Sequence, residues 1–168
     1  MATPDEKVPK VFISSTYEDL QSYRESARDA ALKSGFYPVL SENFAASGAA
    51  PPLETCLKEV GSCDLLVVII AHRYGWVPPF QPNQGHKSIT WLECEQALKL
   101  GKEVVALMVE ESAPWPAEDH EDYQAALEIQ KPTWNSERMA EIKKNVEALR
   151  ELKEMVAGAR HPGDLCEP

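Results

Sequence analysis

Three small hydroxyl residues, Ser14, Ser15 and Thr16, are the first place in this sequence where chemistry could occur. They follow the apolar run at residues 11–13, whose β-branched and aromatic composition predicts a buried parallel strand. Open α/β sheets bind anionic or ribosyl ligands where such a strand turns into a helix, because backbone N–H groups converge there. We therefore expect the hydroxyls to line a ligand pocket. Ser15 and Glu18 also have the spacing of a helix capping box, and capping is the role we expect for Ser15.

Glu93 is the second candidate, because it stands in the pattern Thr90-x-x-Glu93 at the start of a predicted helix. This spacing is again that of a capping box, in which the glutamate would only bind a backbone N–H group. Glu93 shares a helical face with Ala97 and Leu100, whereas Glu95 falls on the polar side and is expected to be solvated. Two roles stay open for Glu93: a helix cap, or a carboxylate that faces a ligand.

Arg73 ends the most hydrophobic segment of the chain and begins a long loop that contains Trp76 and Phe80. Its guanidinium could bind a ligand phosphate or pair with a carboxylate such as that of Glu42. The two aromatic side chains could stack on a base or pack the loop against the domain. A loop of this length in a compact domain is more often functional than not. Arg24, in the first predicted helix, is expected to form a structural ion pair.

Hydrophobic patterns predict an alternation of strands and helices. The predicted strands lie at residues 10–15, 36–42, 64–73 and 103–110. An amphipathic helix of about 18 residues is predicted to follow the first strand and to end at Gly35. Further helices are predicted at residues 53–60, 90–100, 121–130 and 135–159. This alternation indicates an α/β fold with a doubly wound parallel sheet in the strand order 2-1-3-4.

The chain is expected to divide into three parts. Residues 1–9 are polar and predicted to be flexible, residues 10–110 form the α/β domain, and residues 111–168 form an acidic linker and a long helix. That helix is expected to pack on the domain or extend it, away from the ligand-binding end, and to serve packing or assembly. Its apolar stripe comprises Met139, Ile142, Val146, Leu149, Leu152 and Val156.

Composition argues against several classes of function. The formal net charge is −10 over 168 residues, so a nonspecific grip on nucleic acid phosphates is not expected. The four cysteines include no C-x-x-C pair and the four histidines lack metal-ligand spacing, which predicts reduced thiols and no metal site. The longest apolar run, residues 65–71, is far short of the roughly 20 residues that cross a bilayer. We expect a cytoplasmic protein that contacts no membrane.

The ordered motifs of the first 110 residues resemble those of a TIR-like family, a relative of the Toll/interleukin-1 receptor domains. This family is usually found as the amino-terminal module of large NACHT or STAND-type NTPases. The matching residues are Lys10-Val11-Phe12-Ile13-Ser14-Ser15-Thr16-Tyr17-x-Asp19-Leu20, Arg24, Cys63-Asp64, Arg73-Tyr74-Gly75 and Ser88-x-Thr90-x-x-Glu93-x-x-x-Ala97. The resemblance implies a flavodoxin-like sheet and a part in innate immunity or antiphage defence.

The resemblance also implies an activity: many TIR relatives hydrolyse NAD at the nicotinamide–ribose bond when they oligomerise. NAD would be the substrate, and no cofactor would be needed. Glu93 matches the family glutamate and becomes the candidate catalytic residue, because a carboxylate stabilises an oxocarbenium-like transition state. The candidate ligand-binding residues are Ser14, Ser15, Thr16, Glu42, Arg73, Tyr74, Gly75, Trp76 and Ser88.

Two other functions stay open on the same fold. One is a TIR-like interaction module without enzymatic activity, which self-associates through this domain during assembly. The other is a nucleoside or nucleotide ribosyl transferase, which also places a glutamate beside a ribose. An open pocket that contains both Glu93 and Arg73 would favour an enzyme, and a filled one would favour the interaction module.

Overall fold

The protein folds around a four-stranded parallel sheet. A computed structural model describes residues 7–44, 53–79, 81–82 and 85–158. The strands are β1 (Lys10–Ser15), β2 (Tyr37–Leu40), β3 (Leu65–Ile70) and β4 (Glu103–Met108). Their order is β2-β1-β3-β4, and every neighbouring pair is parallel, as the sequence predicts. The strand order reverses between β1 and β3, the position at which open α/β sheets bind ligands.

Five α-helices connect and cover the strands in the described part of the chain. They are α1 (Gln21–Lys33), α2 (Leu53–Ser62), α3 (Ile89–Lys99), α4 (Tyr123–Ile129) and α5 (Ser136–Gly158). Short 3-10 turns follow β2 at Ser41–Phe44 and precede α4 at Ala117–Asp119. The predicted helices are therefore present, although α1 is shorter than expected, with 13 residues.

The predicted capping box at Ser15 and Glu18 is wrong. β1 continues through Ser15, and α1 begins only at Gln21 without a side-chain cap. A turn intervenes, in which the Leu20 N–H donates to the Tyr17 carbonyl at 3.3 Å. This turn uses the residues that the capping box would need for the first turn of the helix.

The core lies on both faces of the sheet, because the strands are apolar throughout rather than alternating. Phe12 faces α2, α3 and α5, whereas Ile13 faces α1. Residues of the larger face include Val60, Leu66, Val68, Ile70, Ala97, Leu152 and Val156, all 3% exposed or less. Successive residues of β1 therefore point to different helices, which decides where Ser14 and Ser15 project.

The long helix α5 is continuous and packs into the larger core. Ile142, Leu149, Leu152 and Val156 are buried there, as the apolar stripe predicts. Val146 differs from the prediction because it is 38% exposed. The neighbouring residue Asn145 is buried in its place and makes polar contacts. No helix of the described residues combines the length and apolar composition needed to cross a membrane.

Candidate active site at the carboxyl end of the sheet

Ser14 and Glu93 meet at the carboxyl end of β1. Ser14 lies two residues after Phe12 and so projects toward α3, which carries Glu93. The Ser14 hydroxyl donates a hydrogen bond to the Glu93 carboxylate. Both side chains are buried, Ser14 at 1% and Glu93 at 3% exposure. The strand end and the helix thus place a carboxylate at the point where the sheet changes strand order.

Glu93 does not cap its helix. The N-cap of α3 is Ser88, whose hydroxyl accepts a hydrogen bond from the Trp91 N–H at 3.3 Å. Thr90 lies inside the helix, so the predicted capping box of Thr90 and Glu93 is wrong. The alternative in which Glu93 serves only the helix end is therefore removed. Its carboxylate contacts the end of β1 instead.

Burial changes the acidity of Glu93. Loss of hydration raises the pKa of this carboxyl from 4.5 to about 7, although the Ser14 hydrogen bond and the positive charge of Arg24 act in the opposite direction. Repulsion from the Glu42 carboxylate adds to the increase. Glu93 consequently exchanges a proton near neutral pH. A carboxyl group with such a pKa, beside a ligand-binding edge, is typical of functional sites.

Two buried thiols surround Glu93 on the helix side. Burial raises the pKa of Cys56 to about 11, and the negative charge of Glu93 adds to the increase. Burial likewise raises the pKa of Cys94 far above its ordinary value. Both cysteines, and Cys63, are free and buried. Since a nucleophilic cysteine needs a lowered pKa, these thiols are neutral packing groups around the carboxylate.

Arg24 forms a second polar group on the opposite face of β1. Ser15 projects toward α1, and its hydroxyl accepts a hydrogen bond from an Arg24 guanidinium nitrogen at 2.8 Å. Arg24 also donates from Nε to Glu42 Oε1 at 3.0 Å and from its second terminal nitrogen to Glu42 Oε2. Burial alone would raise the pKa of Glu42, but the hydrogen bonds and charge of Arg24 outweigh it and lower that pKa. The ion pair expected for Arg24 is thus formed with Glu42.

Arg73 pairs with carboxylates, which is one of its two predicted roles, but Glu42 is not among them. Its guanidinium lies 3.2 Å from Glu18 and 3.8 Å from Asp119. The adjacent residue His72 is buried and stacks on His120 with ring centroids 4.0 Å apart. The end of β3 is therefore held by acidic and aromatic side chains from two loops. No hydrogen bond or ion pair of the described residues joins Arg73 to Glu93.

Position 75 requires glycine, because its backbone conformation and a close neighbour both disfavour a side chain. Its φ is +88°, in the left-handed region that favours glycine. A Cβ at this position would lie 2.9 Å from the Thr16 Cγ2 atom. The Thr16 hydroxyl itself donates to Asp19 at 2.5 Å. The loops after β1 and β3 thus contact each other directly beside the Ser14–Glu93 pair.

The remaining candidate residues differ in accessibility. Tyr74 and Ser88 are buried and hydrogen-bonded to each other, with the Ser88 N–H donating to the Tyr74 hydroxyl at 3.0 Å. Trp76 is 60% exposed, and Phe80 lies outside the described residues. The Glu95 side chain is 45% exposed and pairs with Lys87 at 2.6 Å. Among the described residues of this loop, Trp76 thus offers an aromatic ring to solvent.

One space for a ligand near the site is a cleft on the α1 side of the sheet. A cleft of about 170 Å³ borders Arg24, Glu42 and Tyr17 on the α1 side of the sheet. The described residues contain no cluster of three or more His, Cys, Asp or Glu side chains able to hold a metal ion. Neither Glu93 nor Arg73 borders this cleft, and Glu93 is only 3% exposed. In the part of the chain that the structure describes, the open pocket with both residues that would favour an enzyme is therefore not formed, and the filled surroundings of Glu93 favour the interaction module.

The sequence predicts Arg24 only as a structural ion-pair partner, and nothing in it points to Cys56 as a neighbour of the site. A signal existed for Arg24, because it lies four residues after the fully buried Leu20 and so shares its helical face. An arginine on a buried face needs a partner carboxylate. For Cys56 no such signal exists, since a buried thiol on a helix looks like any small core residue.

Comparisons with known proteins identify the family and the fold. The sequence matches a family model described as "Domain of unknown function (DUF4062)" over residues 10–161. No curated protein is similar enough in sequence to count as a match. Among solved structures, the chain is similar to "Structure of the activated Roq1 resistosome directly recognizing the pathogen effector XopQ (TIR domains)". The TM-score is 0.50 and the identity 16%, with 88% of this chain and 84% of that chain covered.

An identity of 16% shows the fold alone, which is the TIR-like, flavodoxin-like α/β fold that the sequence predicts. The family match extends beyond β4 and includes α5, whose apolar residues pack into the same core as the sheet. Glu93 and Ala97 lie four residues apart on α3, and both are buried against the sheet. Glu93 contacts Ser14 of β1, and Ala97 packs into the larger core. The chain belongs to the DUF4062 family.

Proposed function

We propose that this domain hydrolyses NAD at the nicotinamide–ribose bond, with Glu93 as the catalytic carboxylate. The observation that carries the proposal is the position of Glu93, which is bonded to Ser14 at the switch point of a TIR-like sheet. Glu93 does not cap its helix, and its buried carboxylate is costly to ionise even with the Ser14 hydroxyl as a partner. A pKa of about 7 leaves it partly ionised at neutral pH.

The chemistry needs few groups. The C1′–N bond of NAD breaks, and its electron pair neutralises the positively charged nicotinamide ring, which leaves as a neutral molecule. The ribosyl cation that forms is stabilised by the Glu93 carboxylate. A water molecule then adds to C1′ and loses a proton, giving ADP-ribose. Glu93, with its pKa near neutrality, can accept that proton.

Substrate binding would use the hydroxyls at the end of β1. Ser14 already donates to Glu93, and a ribose hydroxyl has the same donor chemistry, so it can replace Ser14 on the carboxylate. Arg73 is one-third exposed and held by carboxylates of the protein, which a phosphate could displace. The exposed Trp76 offers a surface on which a base can stack.

Because Glu93 is buried, the proposal requires that the domain is latent as a single chain. With 3% of its surface exposed, the carboxylate meets a substrate only after neighbouring segments move apart. Self-association of the domain would supply that change, and the TIR-like fold is compatible with it. We propose that the domain belongs to a larger STAND-type immune or defence protein, whose oligomerisation brings copies together and activates them.

The test is to measure nicotinamide and ADP-ribose released from NAD by the protein, both as a monomer and forced into an oligomer through a fused oligomerisation module. The proposal expects equal amounts of the two products, and release that depends on assembly. Release of nicotinamide with transfer of the ribosyl group to an added nucleophile, and little ADP-ribose, would identify a transferase instead. No release in any assembled state would contradict the proposal.

A second candidate function is a non-enzymatic interaction module. The observation in its favour is a group of exposed apolar side chains around α4 and the start of α5. Ile129 is 63% exposed, Trp134 is 61% exposed and Leu127 is 37% exposed. Such residues often mark contacts between proteins. If the Ile129→Ser and Trp134→Ser substitutions abolish assembly of a protein that never cleaves NAD, this function is the correct one.

A further inference from the structure

A buried carboxylate links α5 to the loop that leaves β3. Glu121 is 9% exposed, and its Oε2 atom accepts a hydrogen bond from the Tyr74 N–H at 3.0 Å. Its Oε1 atom accepts from the Asn145 amide nitrogen at 2.7 Å. The Glu121 N–H donates to the His72 carbonyl at 2.9 Å, which fixes Glu121 against the strand exit. One side chain thus joins the backbone after β3 to a side chain of α5.

The directions of these hydrogen bonds are consistent with one another. Because the Asn145 amide nitrogen donates to Glu121, its amide oxygen must accept. His86 Nε2 lies 2.6 Å from that oxygen and is therefore the donor. The bonds run from His86 through Asn145 to the Glu121 carboxylate. The amide oxygen and the amide nitrogen of Asn145 thus both have a partner, as expected for a side chain that is only 7% exposed.

Tyr74 continues the connection to the helix that carries Glu93. Its ring is 1% exposed, and its hydroxyl donates to the His86 carbonyl at 2.7 Å and accepts from the Ser88 N–H at 3.0 Å. Ser88 is the N-cap of α3 and binds the Trp91 N–H. The Tyr74 hydroxyl thus binds Ser88, the N-cap residue of α3, on the same helix as Glu93.

We infer that Tyr74 and Asn145 are positioning residues, which transmit the placement of α5 to α3 and so to Glu93. A buried polar group restricts its neighbours to the arrangement that satisfies its hydrogen bonds, because a buried donor or acceptor without a partner costs free energy. A movement of α5 relative to the sheet would separate Asn145 from Glu121 and from His86, whose carbonyl accepts the hydrogen bond of the Tyr74 hydroxyl. The Ser88 cap and the first turn of α3 then move with Tyr74. The consequence for catalysis rests on the proposed function, whereas the structural link does not.

The structural link can be tested by amide hydrogen exchange of the full chain, read by NMR. Asn145→Leu keeps the size of the side chain and removes its hydrogen bonds to Glu121 and His86. We expect the amides of Ser88, Trp91 and Leu92 to exchange roughly tenfold faster in this variant. The Asn145 side chain is hydrogen-bonded to none of these three residues, so the effect must pass through Glu121, His86 and Tyr74. Amides in the middle of β1 should not change.

Asn135→Ala is the matched control. Asn135 accepts from the Glu137 N–H at 2.8 Å and the Arg138 N–H at 3.2 Å, so it caps the start of the same helix. Its loss weakens α5 without touching Glu121 and should leave the exchange of the α3 amides unchanged. Equal acceleration of those amides by Asn135→Ala and Asn145→Leu, or no acceleration by Asn145→Leu, would overturn the inference.

Tyr74→Phe keeps the ring in the core and removes only the hydroxyl, which protects the test if Asn145→Leu does not fold. The Trp91 and Leu92 amides should again exchange roughly tenfold faster. Adding Asn145→Leu should then have little further effect on them, because both changes interrupt one path. Independent, multiplicative effects would contradict the path.

The enzymatic consequence separates the two proposals. Tyr74 and Ser88 are buried. The groups proposed to bind NAD are Ser14, Arg73 and Trp76, which Tyr74→Phe does not alter. In a protein that cleaves NAD, Tyr74→Phe should therefore lower kcat, because Glu93 is misplaced, with little change in KM. Faster exchange without any NAD cleavage by wild type would reject the proposed function and keep the link. Cleavage of NAD with unchanged exchange and unchanged kcat in both variants would reject the link alone.

Discussion

The Ser14 hydroxyl donates to the Glu93 carboxylate although 79 residues separate them in the sequence. The contact arises because alternation along β1 directs Ser14 toward α3, and because α3 begins at Ser88 and so turns Glu93 toward the sheet. On the other face of the strand, Ser15 meets Arg24. Two adjacent serines thereby join two helices to one strand end, and each contact leads to a measurable expectation.

The pKa of Glu93 predicts how stability changes with pH. Its ordinary value is 4.5 and its folded value is about 7, so between these values the folded protein binds more protons than the unfolded chain. The free energy of unfolding should therefore fall as pH rises from about 4.5 to about 7, by on the order of 3 kcal/mol, and then level off. Urea unfolding of wild type and Glu93→Gln at pH 5 and pH 8 measures this.

The Gln variant should lack that decrease, since it has no proton to lose. Between pH 5 and pH 8 the free energy of unfolding should therefore fall more for wild type than for Glu93→Gln, and the difference should match the decrease given above. Parallel pH profiles for the two proteins would show that burial does not penalise the ionised form of Glu93.

Arg24 should not be replaceable by lysine. Its guanidinium binds both oxygens of Glu42 and the Ser15 hydroxyl, and it is 2% exposed. A lysine ammonium cannot reproduce this planar set of donors, so Arg24→Lys should cost about 1–3 kcal/mol in the free energy of unfolding. Chemical denaturation measures the change.

Arg28→Lys is the control on the same helix, because Arg28 pairs with Asp29 on the surface and is about half exposed. Its substitution should change stability by no more than about 0.5 kcal/mol. If the two variants were equally stable, the buried pair would contribute no more than a surface one.

Gly75→Ala should destabilise the protein through two separate effects. The residue adopts φ +88°, and its new Cβ would approach the Thr16 Cγ2 atom to 2.9 Å. Gly35 has a similar φ of +80° but nothing within 4 Å of an added Cβ, so Gly35→Ala isolates the backbone effect, about 1 kcal/mol. Gly75→Ala should cost clearly more in thermal or chemical unfolding.

Thr16→Ser should recover part of that extra cost, because it removes Cγ2 and keeps the hydroxyl that binds Asp19. A double variant no more stable than Gly75→Ala alone would show that the contact between the two loops is not the source of the difference.

The fold was predictable because its signals are local. Residues 65–70 form a run of six β-branched or aliphatic residues, too short for a buried helix, and they form the central strand β3. The helix starts were less predictable. Ser88 and Thr90 both carry a hydroxyl near the start of α3, and the structure selects Ser88 because the Tyr74 hydroxyl binds the Ser88 N–H. A contact across 14 residues decides a cap that the local pattern leaves ambiguous.

The partners of charged residues were the least predictable part of the site. Glu42 pairs with Arg24 rather than with Arg73, because the 3-10 turn after β2 directs it toward α1. Arg73 instead meets Asp119, whose position depends on the loops after β4. Such distances depend on how several elements pack, and no periodic pattern in the sequence records them. Glu93 was predicted as a candidate because it matches the glutamate of the TIR-like family, and its helical face separated it from Glu95.

The most direct measurement of the central claim is NAD cleavage by wild type, Glu93→Gln and Glu95→Gln in the same assembled state. Glutamine keeps the size of Glu93 and loses only the charge, so the rate should fall about a hundredfold or more, the equivalent of on the order of 3 kcal/mol. Glu95→Gln alters a surface residue of the same helix and should retain the wild-type rate. Equal rates for wild type and Glu93→Gln would contradict the assignment of Glu93 as the catalytic carboxylate.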